Sequence, residues 1–364
     1  MTRIIGYIVA IFALASCAGG GGQDAPQGDS IIAHASLLRI SAAEGYTRVD
    51  VFMPSDTAHA AWSYALVPRG TEPAVPAELT QVPVPLQRSI VYSTVHTTPL
   101  AELSATDAII AVADCQYFTA DDPIYPLIAS GRIGAIGSSM APSLEKIVDY
   151  EADAILLSPI EGANLGGVER SGVPLIFMAD YLEPTPLGRA EWLKLLGRLY
   201  GCEAEADSIY TAVAQQYTAL RDAAANTTAR PKVITERPFE GIWYVPGGQT
   251  YMARMLADAG AAYPWADERS AGSLSLDEAM VIDRAADADF WLIKDGTTHS
   301  AASLSAAMPH ASAFAAFPRG VYSADGRIFR DIAFHPERVL ADFVAIFHPE
   351  LSGDSLRYFK PIAP

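Results

Sequence analysis

The sequence predicts an α/β protein of two Rossmann-like lobes joined by a long rigid helix, with an added N-terminal β segment. Three observations carry this reading. Continuous apolar runs alternate with helix-length gaps in both halves of the chain, the pattern of parallel strands covered on both faces. A helical stretch separates the two halves. One short unit, a loop followed by an acidic helix start, a helix and a buried strand, occurs once per half, at 137–158 and at 272–293.

Residues 1–17 read as a lipoprotein signal peptide. Arg3 supplies the positive start, 4–15 form a short apolar run, and Leu14-Ala15-Ser16-Cys17 fits a lipobox with Cys17 as the lipidated residue. The run is too short to span a bilayer comfortably as a permanent helix. Residues 18–30, rich in Gly, Gln and Asp, read as a flexible tether. About 340 residues remain, more than one core usually serves, so two lobes are the expectation. The net charge of −17, with no Lys/Arg cluster, excludes the basic face that nucleic acid requires. Cys115 and Cys202 are expected as free thiols, and no Cys-x-x-Cys spacing marks a zinc site.

Residues 31–88 form the N-terminal β-rich segment, with polar–apolar alternation at 47–52 and 63–67 and prolines punctuating 68–85. The N-lobe, 89–184, carries expected strands at 90–95, 108–112, 132–136, 154–157 and 174–178. The linking helix region, 185–224, starts at Pro186, places Leu187, Trp192, Leu195, Leu196 and Leu199 on an apolar face, and runs on past Gly201 without interruption. A helix of about 20 residues spans about 30 Å, enough to bridge two lobes. The C-lobe, 225–364, carries expected strands at 232–235, 241–245, 290–293 and 320–323, helices at 250–260 and after Glu278, and a final helix at 336–347 with Pro at its first position.

Ligands of open α/β sheets sit beyond the carboxyl ends of the parallel strands. That rule points to His96, Tyr117, Phe118 and Tyr181 in the N-lobe, and to Arg237, Trp243, Tyr244 and Tyr251 in the C-lobe. An aromatic cleft suits a bulky, partly apolar ligand. Trp243 reads equally well as core, and Tyr244 points to the other side of its strand. His96 suits a metal centre or a plain polar contact. His335 and His348, each in His-Pro-Glu, read as turn punctuation. No Gly-x-Ser-x-Gly, P-loop or His-Glu-x-x-His motif is present, and nothing in the sequence puts a base beside Cys115, so no catalytic residue, metal site or cofactor is expected. Glu145 and Glu278, one in each repeated unit, both suit a helix start: Glu145 follows Pro142, and 275–278 reads as a capping box.

The exported lipoprotein signal, the 90–94 strand with His96, the Gly137, Glu145 and Asp153 unit, and the linking helix resemble the class III substrate-binding proteins of ATP-driven importers for iron-siderophores, haem and cobalamin. The segments 46–50, 183–192 and 243–248 are similar to the Bacteroidetes branch of that family, and the resemblance covers 31–350. It implies a ligand held between lobes that close little, and one surface glutamate per lobe that pairs with arginines of a dimeric permease. Those positions fall on Glu145 and on Glu278, with Asp277 as the alternative carboxylate in the second lobe. The implied partners are an ABC permease dimer with its ATPase and a small-molecule metal chelate. A ferric siderophore or a cobalamin-like corrinoid leads, with haem as the alternative. The protein is expected as a monomer on the periplasmic face of a membrane, in either leaflet, held by its lipid anchor only and without nucleic acid. Catecholate siderophores demand clustered arginines, for which Arg132, Arg237 and Arg254 are the candidates. Haem demands an axial ligand such as His96, Tyr117 or Tyr244. A periplasmic enzyme using Cys115 is the rival from another class.

Overall fold

The computed structural model describes residues 30–159, 165–352 and 355–363. The signal segment with Cys17, the tether up to residue 29, and the strand-end loop at 160–164 lie outside the described residues.

Five parallel strands build the N-lobe sheet, in the order Leu175–Phe177, Ala154–Leu157, Ser89–Val91, Ile109–Val112 and Gly134–Ala135. Side chains alternate between two apolar layers, as the two-residue period of a strand requires. Val91, Val112, Leu156 and Ile176 face one layer, and Ile90, Ala111, Ile155 and Phe177 face the other. The first strand stops earlier than its apolar pattern suggests. Ser93 caps a helix over Thr94–Glu102 by accepting from the Val95 amide, so His96 lies in the first turn of a helix and not at a strand end.

The N-terminal segment is a four-stranded sheet of Leu38–Ala43, Tyr46–Val51, Trp62–Pro68 and Thr80–Val84, the last pair parallel. It shares the first N-lobe layer and seals the sheet edge: Trp62 stacks on Phe177 at 4.1 Å, and the Tyr64 hydroxyl accepts from the Phe177 amide.

The C-lobe sheet runs Val233–Thr235, Phe290–Ile293 and Val321–Ala324 in parallel, then Phe359–Pro361 antiparallel at the edge. The expected strand at 241–245 is not part of it. Trp243–Pro246 pairs instead with Ser273–Leu276 as a separate antiparallel ribbon. The final strand, after the helix Pro336–Phe347, was not expected from the sequence.

The linking region is also not one continuous helix. Gly201, at φ +71°, ends the helix Leu193–Tyr200, and a second helix, Glu203–Ala225, folds back against it. Gly197 permits that turn, because a Cβ there would stand 2.5 Å from the Ala206 Cβ. The link is therefore the 23-residue helix alone, about 34 Å long. Ala206, Tyr210 and Val213 at its start belong to the N-lobe core; Tyr217 and Ala224 further on belong to the C-lobe core. One helix embedded in both cores gives the lobes little freedom to hinge.

Two buried carboxylates fasten the first described residues. Glu191, fully buried, accepts from the amides of Ala33, His34 and Ala35 at 2.6–3.0 Å and from Lys194 at 2.8 Å. Glu183 accepts from the amides of Ser36 and Leu37, the Ser36 hydroxyl and the Trp192 indole. Gly188 leaves room for the strap, since a Cβ there would stand 2.9 Å from the His34 carbonyl oxygen.

A second buried cluster ties the lobes together. His335 donates from Nε2 to Glu102 of the N-lobe at 2.6 Å and from Nδ1 to Glu337 at 3.0 Å. Burial disfavours the charged ring, yet the bonds to Glu102 and Glu337 outweigh it and lift its pKa to about 9. The folded-state value lies above the ordinary histidine value, so this stabilisation is complete below about pH 6.5 and is lost as pH rises through 9. Melting temperatures across that window should fall by an amount worth on the order of 3 kcal/mol. In His335→Gln the curve should be flat there; an unchanged slope would show that the ring is not the titrating group.

Candidate functional site

The turns after the strands Ser89–Val91, Ile109–Val112, Ala154–Leu157 and Val321–Ala324 line a cleft between the lobes. Beyond the N-lobe strands a cavity of about 260 Å³ is bounded by Tyr92, Ser93, Thr94, Asp114, Ser139 and Leu157, among others. Thr94 and Tyr117 also border a second cavity of about 670 Å³, whose far wall is Asp325, Arg327, Phe329 and Arg330 of the C-lobe. The two spaces adjoin through those shared residues. Asp114 follows the strand Ile109–Val112 in the left-handed region, φ +50°, a conformation that Asp tolerates better than most residues. Its carboxylate accepts from the Ser139 amide at 3.2 Å.

Ion pairs hold the residues that follow the C-lobe strands, and those of Arg327 and Arg330 line the second cavity. Arg330 reaches from the C-lobe to Asp121 at 2.5 Å and Asp122 at 3.0 Å, and its hydrogen bond holds the Asp121 pKa down at about 2. Arg327 pairs with Asp325, Lys294 with Glu236, and Arg237 with Asp295 at 2.5 Å. Burial works to raise the Asp295 pKa. The amides of Thr297 and Thr298, the Thr298 hydroxyl and Arg237 outweigh it and bring the value to about 2.

The structure brings only part of the expected aromatic set to the cleft. Tyr117 is 68% exposed and borders both cavities. Tyr181 and Tyr251 border a separate space of about 830 Å³ between the lobes, with Thr185 and Arg254. The Tyr181 hydroxyl donates to the Pro159 carbonyl, and Arg189 lies over the Tyr251 ring. His96 is buried: Nε2 meets Asp180 at 2.8 Å, Arg189 approaches the other oxygen of that carboxylate, and Phe334 from the C-lobe lies against the ring. It is a core polar contact and cannot reach a ligand. Phe118 is buried in the N-lobe core. Trp243 is fully buried, stacked on Trp291 at 5.6 Å, with its indole N–H donating to the Thr235 carbonyl. Tyr244 is exposed on the opposite side of that ribbon and borders none of these spaces. Arg237 is half-buried and committed to Asp295. Arg132 and Arg254 are tied to Asp107 and Asp258. Sequence reasoning missed Phe329 and Arg330. Both follow the strand Val321–Ala324, so the carboxyl-end rule, carried to the last parallel strand, would have found them.

The repeated units fold alike. In each, the aspartate before the buried strand grips the residue before the neighbouring strand: Asp153 accepts from the Arg88 amide at 2.9 Å, and Asp289 from the Lys232 amide at 2.8 Å. The basic side chains of Arg88 and Lys232 then cap carbonyls at the end of each unit's helix. The helix starts differ. Ser143 caps Leu144–Asp149 and leaves Glu145 exposed in the first turn, without hydrogen bond or ion pair to a described residue. In the second unit the cap is Asp277, which accepts from the Met280 amide; Ser275 lies in the ribbon strand, so there is no capping box at 275–278. Glu278 begins that helix, half-buried, and accepts from His310 at 2.9 Å. Cys115 and Cys202 are free thiols.

Two α/β lobes on a common helix, with a polar and aromatic cleft between the carboxyl ends of their sheets, define a two-lobed binding protein. A family model described as periplasmic binding protein matches residues 90–307, and the chain belongs to that family. The match leaves out the N-terminal sheet. An uncharacterized lipoprotein of Methanocaldococcus jannaschii is 25% identical over 290 residues, which cover 76% of this chain and 69% of that protein. Among solved structures, a periplasmic haem-binding protein of Pseudomonas aeruginosa superposes with a TM-score of 0.59 at 16% identity, covering 77% of this chain and 99% of that one. A possible iron-binding periplasmic solute-binding protein of Staphylococcus epidermidis gives 0.57 at 18%, covering 72% and 99%. The periplasmic vitamin B12-binding protein of Vibrio cholerae gives 0.55 at 12%, covering 74% and 99%. At these identities the structures establish the shared fold.

Proposed function

We propose that this protein captures a bulky metal chelate, a ferric siderophore or a cobalamin-like corrinoid, between its lobes and delivers it to the permease dimer and ATPase of an ABC importer. The observation that carries this is the cleft itself. Adjoining cavities of about 260 and 670 Å³ lie between the carboxyl ends of two sheets whose separation is set by one helix buried in both cores. Such a frame suits a rigid ligand that fills a standing gap. Glu145 and Glu278 are the handles for the permease, one on each lobe. The protein acts outside the cytoplasm, held by lipid at Cys17, as its lipoprotein relative suggests. An enzyme built on Cys115 is disfavoured, because burial first, and Asp114 beside it, push the thiol pKa up, away from the reactive thiolate. Haem is the second reading, favoured by one observation: Tyr117 stands exposed in the cleft, where its hydroxyl has the chemistry of an axial ligand.

Titration of the purified protein with cyanocobalamin, haemin and ferric siderophores of differing charge, followed by absorbance and intrinsic fluorescence, tests this reading. Saturable binding of one of them is expected. Silence across the whole set would sink the importer reading, and a new charge-transfer band with haemin that disappears in Tyr117→Phe would select haem.

A further inference from the structure

The cations that line the second cavity are already committed to carboxylates. Arg327 is held by Asp325, and Arg330 by Asp121 together with Asp122. An anionic ligand that recruited one of these cations would strip it from its carboxylate and then face that carboxylate at close range, a like-charge contact in a partly desolvated space. Asp114 adds a further acid in the N-lobe cavity, without an ion pair to any described residue. Its two hydrogen bonds, from the Ser139 amide at 3.2 Å and the Gln116 side chain at 3.3 Å, are long and leave a carboxylate with acceptor capacity to spare. Tyr92 borders the same cavity, and its hydroxyl oxygen is enclosed with no hydrogen-bond partner among the described residues. An enclosed, unpaired hydroxyl is a cost to the folded protein unless something supplies the missing bond.

We infer that the cleft selects a metal chelate without net negative charge whose rim carries N–H donors, and that Asp114 with Tyr92 forms the N-lobe subsite for one of those donors. Amide-bearing corrinoids and neutral or cationic hydroxamate siderophores share this chemistry. Polyanionic catecholate chelates do not. The inference rests on the proposed role as a chelate-binding component and narrows its ligand.

Equilibrium titration with three probes tests it: cyanocobalamin, which is neutral, ferrioxamine B, a cation, and ferric enterobactin, a polyanion. Cyanocobalamin or ferrioxamine B should bind about 100-fold more tightly than ferric enterobactin. Asp114→Asn should weaken the preferred probe about tenfold while leaving ferric enterobactin unchanged or improved, and Tyr92→Phe should weaken it about fivefold. Asn accepts the left-handed backbone of position 114, so the variant keeps its fold, which an unchanged melting temperature verifies. Tight binding of ferric enterobactin by the wild type overturns the charge rule. Unaltered affinity for the preferred probe in both variants overturns the subsite. Failure of all probes with the wild type instead removes the chelate-binding role on which the inference stands.

Discussion

Glu191→Gln is expected to lower the melting temperature by roughly 10 °C and to release the first described residues from the body. The wild-type carboxylate is fully buried and offers two oxygens to three amides and one ammonium. A glutamine has one acceptor oxygen, and its NH₂ would point donor against donor. At least one amide is left unsatisfied, and Lys194 loses its counter-charge. Breaking one side of a buried charged network costs roughly 3–5 kcal/mol. The pH dependence has a definite sign. Burial acts to raise the Glu191 pKa, but Lys194 and the three amides overcome it and leave it lowered, so the strap's stabilisation is present above the ordinary carboxylate range and fades as pH falls through the depressed value. Hydrogen exchange at Ala33, His34 and Ala35 reads the event directly. Retained protection at those amides in the variant would contradict this account.

Replacing both Glu145 and Glu278 by Ala is expected to abolish uptake in cells while leaving ligand affinity as it was. Neither side chain borders the cleft, so the bound ligand does not sense the change. The two single variants should differ. Glu145 is exposed with no described partner, whereas Glu278 already shares its charge with His310, so a permease arginine must compete for it. Glu145→Ala should therefore cost more uptake than Glu278→Ala. Such exposed pairs add little binding energy and act through orientation, which makes transport the right measurement. Normal uptake by the double variant would remove both residues from the docking role.

The fold was legible where periodicity is strong. The strands Ala154–Leu157 and Phe290–Ile293 are buried, continuous and preceded by an aspartate, and sequence alone located both. Gly201 was passed over because a glycine can sit within a helix; only its positive φ shows a helix end. Phe359–Pro361 escaped notice because three edge residues carry no period. The cleft was harder to read. His96 and Arg330 are both polar residues near strand ends, and nothing local separates the one that packs inward against Asp180 from the one that crosses to Asp121. Trp243 illustrates the same ambiguity, since an aromatic on a strand serves a core or a ligand equally well until its neighbours are known.

The strap also orders events in time. The amides of residues 33–37 have no carboxylate to meet until the chain has been made through Glu183, for Ser36 and Leu37, and Glu191, for Ala33 to Ala35, 146 to 158 positions later. Contacts of such separation close late, after local elements have formed. The segment 33–37 is thus synthesised well before its partners and is among the last parts of the body to be secured.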